Sequence, residues 1–378
     1  MNLEILILIV LAIAATMFSV LVSIFVVARK ALGEKLASKR KRLHQIYSSR
    51  FAELLLRELP PVKIEPRKSS LFKQYDLLLK LTKVELSRLI PSTRRLHRAS
   101  IRKVFIDFSG DLTGESFERL TYFFDGLSLV DDELERLRSR SWWIRAEAAN
   151  TLGRLRCRKA IKALTVALKD AHEDVRLQAM QALVVLIGAE ALRTILRISR
   201  DLSRWTTIEL SPVVAKFHDE AVPYLIEALS MPDRSVVIFC VEMLAEIGFV
   251  RAVEPLMALV EKNRDPEIQA KALEALGRLG NMRSTELLKG FLRHDVESVR
   301  LKAIEALGRI GGVEVLQDLQ PNLSSPIFEE KVVAARALVT LGEAGIASLR
   351  ILESKSDNVT AAIARQVLEE CGALKESL

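Results

Sequence analysis

The feature that most constrains this chain is a thirteen-residue pattern that returns about every 31 residues. Its clearest copy is VRLKAIEALGRIG at 299–311. There Val299, Ala303, Ala306, Leu307 and Ile310 recur at helical spacing and form one apolar stripe. Gly308 and Gly311 fall at or past the expected helix end, where glycine tolerates positive φ. Related segments lie at 144–156 (IRAEAANTLGRLR), 175–187, 236–248, 268–280, 330–342 and 360–372. Their last column holds Arg156, Ile187, Gly248, Gly280, Gly311, Gly342 and Gly372. One step, of 61 residues, is two periods, so a disguised unit should end near residue 218. TTIELSPVVAKFH at 206–218 lies there and keeps the aliphatic columns as Leu210, Val214 and Phe217. Eight consecutive units of this period predict a stacked helical architecture over 141–378.

Each unit continues, after a turn, into a second apolar helix, such as AIKALTVAL at 160–168 or AVEPLMALV at 252–260. One helix pair cannot bury its own apolar face, but a row of pairs can. The fifth column of the pattern is small: Ala148, Ala179, Cys240, Ala272, Ala303, Ala334 and Ala364. Small side chains there let neighbouring helices approach closely. These units resemble the short bacterial HEAT-like repeats, the kind also found in phycobilin lyases. The resemblance covers roughly 141–378. It implies an all-α protein, a right-handed α-solenoid whose second helices line a concave surface. That scaffold serves many unrelated binders, so the resemblance alone does not fix a function.

The charge is uneven. Residues 29–110 carry a net +14, whereas 111–378 carry −5, so the overall +8 belongs to the N-terminal third. Three cysteines cannot make a disulfide framework. Cys240 occupies the small column and Cys371 an apolar one, which predicts buried structural thiols.

Residues 5–28 are 24 positions without a charge. As a helix they span about 36 Å, enough to cross a bilayer core of about 30 Å. A cleaved signal peptide would place basic residues before a shorter apolar run. Here Glu4 precedes the run, and Arg29, Lys30, Lys35, Lys39, Arg40, Lys41 and Arg42 follow it. The expectation is a retained single-pass anchor, N-out, with the remainder on the cytoplasmic side of a bacterial inner membrane. A basic juxtamembrane helix is expected over 29–59, with an interrupted apolar face of Leu32, Leu36, Leu43, Ile46 and Tyr47. Those seven cations are candidate contacts for anionic lipid headgroups. The alternatives are a solvated helix that only enforces topology and a short coiled coil.

The prolines at 60, 61 and 66 mark a linker over 60–70. A helical N-terminal module and cap are expected over 71–140, with helices at 71–90, 93–108, 115–124 and 130–139. Next come Trp142 and Trp143, adjacent in an aromatic-poor chain. They either plug the gap before the first regular unit or anchor a protein partner. This Trp-Trp element behind one anchor resembles, loosely, a group of bacterial membrane proteins associated with envelope polysaccharide glycosyltransferases. The third unit departs most from the pattern. Pro212 inside its first helix predicts a kink or split, read either as a local bend in the solenoid or as a partner-binding irregularity.

No metal-ligand spacing, nucleophile–base pairing or phosphate-cradling loop stands out among the five histidines and sixteen glycines. The reading is therefore non-enzymatic, with no cofactor and no metal: a membrane-tethered scaffold for a protein partner, with nucleic acid disfavoured by the acidic repeats. A bilin-lyase-like enzyme or chaperone, and nucleic-acid binding through 88–103, are the alternatives. The expected partner surface is the polar column of the second helices: Lys162, Arg193, Tyr224, Glu254, Glu286, Gln317 and Ser348. Lys159 and Glu227 flank it. Its charge runs from basic through an aromatic to acidic.

Overall fold

The computed structural model describes residues 3–56, 80, 95–198, 204–355 and 359–376, and no strand occurs among them. The expected linker and, apart from the helical Lys80, the expected helix at 71–90 lie outside the described residues. The chain divides into two compact units, residues 1–163 and 164–378.

In the first unit, α1 runs unbroken from Leu3 to Leu56, so the apolar run and the basic segment are one helix. It contains no proline, and leucine, alanine, lysine and arginine along it favour the helical state. α2 (Arg95–Asp111), α3 (Gly114–Gly126), α4 (Leu129–Arg136) and α5 (Trp142–Arg154) follow. The break expected at 109–116 shrinks to Leu112 and Thr113, because α2 continues through Ser109 and Gly110. The last turns of α1 supply this unit's core. Tyr47, Phe51 and Leu55, spaced by four, are essentially fully buried. α1 packs on α2 and α3, whose buried residues include Val104, Phe105, Leu120, Phe123 and Phe124. Phe51 meets Phe105 edge-on with ring centroids 4.7 Å apart, and Phe105 meets Phe124 at 5.6 Å. Tyr47 Oη lies 2.7 Å from His97 Nδ1, and burial pushes the Tyr47 phenol up. Arg119 donates to the carbonyl of Leu55 at 2.9 Å, satisfying one of the orphan acceptors at the end of α1.

This unit also buries a charge. Glu133 is fully buried, 2.8 Å from Arg136 Nη1 and 3.4 Å from Arg102 Nε. Burial pushes its carboxyl up, against the pull of the two guanidinium groups. Cys157 is also pushed up, to about 12, first by burial and then by Asp125 and Glu133.

The second unit is the repeat array. α6 (Ile161–Ala167) straddles the division of the chain. The pairs that follow are α7 (Glu173–Ile187) with α8 (Ala191–Ile198), α9 (Arg204–Phe217) with α10 (Val222–Ala228), and α11 (Arg234–Ile247) with α12 (Val253–Lys262). Then come α13 (Pro266–Leu279) with α14 (Thr285–Gly290), α15 (Glu297–Ile310) with α16 (Val313–Leu319), and α17 (Phe328–Thr340) with α18 (Glu343–Lys355). α19 (Val359–Glu376) closes the array. First helices pack on first helices: α11 on α13, α13 on α15, α15 on α17 and α17 on α19. The small fifth column is buried in every copy, from Ala148 to Ala364, and Leu210 is buried at the equivalent place in α9. These stacked pairs make the unit an α-solenoid.

Three details refine the expected pattern. The turn column adopts positive φ in most copies, at two positions without glycine, whereas Gly372 lies inside α19. Arg156 has φ 49° and His218 φ 47°, alongside Gly248, Gly280, Gly311 and Gly342; in α7 the role falls to Gly188, one residue past Ile187. His218 thus ends the disguised unit where the period requires. Second, Gly308 is not a helix terminator. It lies buried inside α15, and a Cβ there would sit 2.7 Å from the Ala337 Cβ of the next first helix. Gly277 meets Ala306 in the same way, so these glycines serve close approach. Third, the second position of the pattern clasps the preceding turn. Arg145, Arg176 and Arg300 each donate from Nη1 to the carbonyls six and five residues earlier, at 2.6 to 3.1 Å. Gln269 does the equivalent on Asn263 and Val260. One expectation is corrected: Cys371 is half-exposed, whereas Cys240 is fully buried. α9 is not split at Pro212.

Candidate functional site

In the second unit, the polar column of the second helices is exposed at Arg193, Glu254, Glu286 and Gln317, and half-buried at Tyr224. Ser348 breaks the series. It is buried and accepts from Gln320 at 3.0 Å, so the column turns inward at α18. Three expected site residues come together. Arg193 Nε donates to Glu227 Oε2 at 2.8 Å, and the same guanidinium stands over the Tyr224 ring, 5.2 Å from its centroid. The hydrogen bond to Glu227 raises the Arg193 pKa further. Glu254 lies 3.9 Å from Arg283. Glu286 accepts from Lys289, which also reaches Asp318 at 3.0 Å and is pushed up to about 12 by these two carboxylates. The column is therefore a ladder of exposed ion pairs between repeats, each contributing little to stability. Between α10 and α12 lies a cavity of about 320 Å³ of mixed lining, Ile226, Leu229, Met231, Pro255 and Leu259 together with Ser230, Lys262 and Asn263.

The first-helix side carries a second ladder that the sequence reading passed over. Lys271 donates to Glu242 at 2.7 Å, and Lys302 lies 3.9 Å from Glu274 and 2.9 Å from Glu305. A cavity of about 460 Å³ opens here, lined by Arg234, Glu267, Ala270, Lys271, Glu274 and Lys302. The available signal was a lysine in the fourth column facing a glutamate in the seventh column of the preceding unit.

In the first unit, Trp142 and Trp143 are 39% and 58% exposed, ring centroids 6.1 Å apart and nearly perpendicular. They plug no gap. Exposed Arg138 and Arg140 precede them. Lys162 is exposed, and Lys159 binds Asp125 at 2.6 Å. The seven cations from Arg29 to Arg42 are all exposed along α1, as are the large apolar side chains Met17, Phe18, Leu21, Ile24, Phe25 and Val27. Among the described residues, no cluster of three or more His, Cys, Asp or Glu side chains could hold a metal ion.

The HEAT repeat family matches residues 130–210 and 253–339. The helix pairs are HEAT-like repeats, and the chain is a HEAT-like repeat protein. No curated protein matches the chain. Among solved structures, an engineered protein is similar at 19% identity, with 88% of this chain and 95% of that one covered and a TM-score of 0.36. The complex of CpcE and CpcF of phycocyanin lyase from Nostoc is similar at 24% identity over 64% and 87%, with a TM-score of 0.28. Human deoxyhypusine hydroxylase is similar at 18% identity over 70% and 98%, with a TM-score of 0.29. At those identities and TM-scores the likenesses carry nothing about activity.

Proposed function

We propose that this chain is a non-enzymatic scaffold, tethered through α1 to the cytoplasmic face of a bacterial inner membrane, whose repeats bind a protein partner. The observation that carries the tether is the exposed apolar surface of α1, a helix long and apolar enough to cross a bilayer. A second stretch that meets the same criterion, Glu173–Ile198, is α7 and α8, about half buried in the repeat core, and reads as soluble-type packing. Cations following the apolar run support an N-out orientation. Of these, Arg29 and Lys30 lie nearest the run and are the ones proposed to meet anionic headgroups.

The partner seat proposed on the second unit is the second-helix ladder, Tyr224, Arg193 and Glu227 at one end and Glu254 and Glu286 further along; Trp142, Trp143 and Lys162 are proposed as separate partner contacts on the first unit. A place among envelope polysaccharide assemblies rests on the Trp-Trp resemblance. The test is purification of the full chain in mild detergent. The expected result is a stoichiometric protein partner, lost in the double variant Arg193→Glu, Glu254→Lys, whose exposed substitutions leave the fold intact. Tetrapyrrole colour or co-purifying nucleic acid would instead select the bilin-lyase-like or the nucleic-acid reading. For the tether, carbonate washing should leave the chain in the membrane, and a reporter fused after Leu378 should work only if its activity requires the cytoplasm.

A further inference from the structure

Between its apolar run and the core of the first unit, α1 presents a second apolar stripe that the described residues leave largely exposed, with Leu43 half-buried. At 3.6 residues per turn, Leu32, Leu36, Leu43 and Ile46 share one face. Tyr47, Phe51 and Leu55 fall on the adjoining face, and these are the residues buried in the core that α1 forms with α2 and α3. Leu32, Leu36 and Ile46 are 63%, 50% and 43% exposed. Both borders of the stripe are basic: Arg29 and Arg40 on one side, Lys35 and Arg42 on the other, with Lys39 on the stripe itself. All five are exposed.

Beyond the chain itself three covers are conceivable, and the charge and length of α1 separate them. The first is the bilayer. If residues 5–28 span it, which is the reading proposed above, Leu32 stands about 6 Å and Ile46 about 27 Å beyond Ala28 along a continuous helix. The headgroup layer is only about 5–8 Å deep, so lipid reaches the start of the stripe and no further. α1 has no proline to fold the remainder onto the surface, and its last turns are held in the core by Tyr47, Phe51 and Leu55. The second cover is another copy of this chain. In either orientation it would set basic border against basic border, the arrangement that charge patterning in helix pairs selects against. The third is a foreign helix with borders of the opposite sign.

We infer that the Leu32–Leu36–Leu43–Ile46 stripe is a docking seam for one amphipathic helix of a partner, apolar along its centre and acidic along both borders. A partner anchored in the same bilayer would meet this seam at high effective concentration, so a short seam suffices.

The experiment uses the full chain in phosphatidylcholine nanodiscs. The probe is a fluorescent peptide of about three heptads, with leucine and isoleucine on the seam and glutamate on both borders. Saturable binding by anisotropy is expected, weakened about tenfold or more in the double variant Leu32→Ser, Leu36→Ser, since two exposed leucines are lost from the seam. The same peptide with lysine borders should not bind. Equal binding of a scrambled glutamate peptide would overturn the seam, because charge alone would then explain the affinity. Unchanged affinity in the double variant would overturn it too. Efficient disulfide-linked dimers of Leu36→Cys in nanodiscs would assign the stripe to a second copy. Quenching of a fluorophore on Leu36→Cys by spin-labelled lipid in the nanodisc, without peptide, would assign it to lipid. Carbonate washing of native membranes, run in parallel, reports on the tether alone. A chain that washes off yet still binds the acidic peptide sinks the tether and keeps the seam, and the reverse result does the opposite.

Discussion

The two units of this molecule solve the same packing problem by opposite means. The first is held by large, unlike side chains that occur once each: Tyr47, Phe51, Phe105, Phe123 and Phe124, with a buried Glu133 between Arg102 and Arg136. The second is held by small, repeated ones: alanine in the fifth column, and glycine where Gly277 and Gly308 let the next backbone approach. Large side chains fix one arrangement and give little tolerance for error. Small ones leave contact to the backbone and let one interface be copied along the chain. The contrast teaches where each unit can be broken.

The largest expected effect is in the repeats. Ala303→Glu puts an unpaired charge into a fully buried small column and should cost about 3–5 kcal/mol. Hydrogen exchange should show protection lost across α13, α15 and α17. A variant that melts with the parent would show that the column is no packed seam.

Next is Phe51→Ala in the first unit. It removes a ring packed on Phe105 and should cost about 3–5 kcal/mol through the cavity left behind. Exchange should rise in α2 and α3 and stay unchanged over 204–355. If the repeats lost protection equally, the two units would be one cooperative body and the contrast would fail.

Gly308→Ala sharpens the account of close approach. The added methyl meets Ala337, an overpacking of about 1–3 kcal/mol, against about 1 kcal/mol regained from helix propensity. A net loss is expected in urea unfolding. Gly290→Ala, whose Cβ meets nothing, should be neutral or stabilising. Equal effects at the two glycines would mean that the first helices are further apart than described.

The smallest effect has the opposite sign. His218→Gly relieves a left-handed residue at the end of α9 and should stabilise by about 0.5 kcal/mol, the strain released less the entropy that glycine brings. Arg156→Gly should gain less, because it gives up the guanidinium over the Phe117 ring. Destabilisation at His218 would indicate that its contact with Asp219 matters more than its backbone.

The repeats were legible because their information is local and redundant. One period read eight times located the turn column, the small column and the disguised unit ending at His218, although no glycine marks that end. The polar column of the second helices was legible as far as α16, since exposure alternates with helical period. It failed at Ser348, where the position is the same and the neighbours differ. Gly308 was misread as a terminator. A glycine near a helix end has two physical uses, positive φ and close approach, and only the position of Ala337 separates them.

Sequence alone determined the helical class, the period, the apolar run and the uneven charge, because each depends on spacing along one chain. Tertiary structure decided what those spacings meet. It joined the apolar run and the basic segment into α1, buried Tyr47, Phe51 and Leu55 in a core assembled from residues fifty or more positions away, and left Trp143 largely in solvent. The physical reason is that burial is a property of pairs of surfaces. A helix carries its stripe in its own sequence, but whether the stripe is covered depends on a partner that its sequence does not contain.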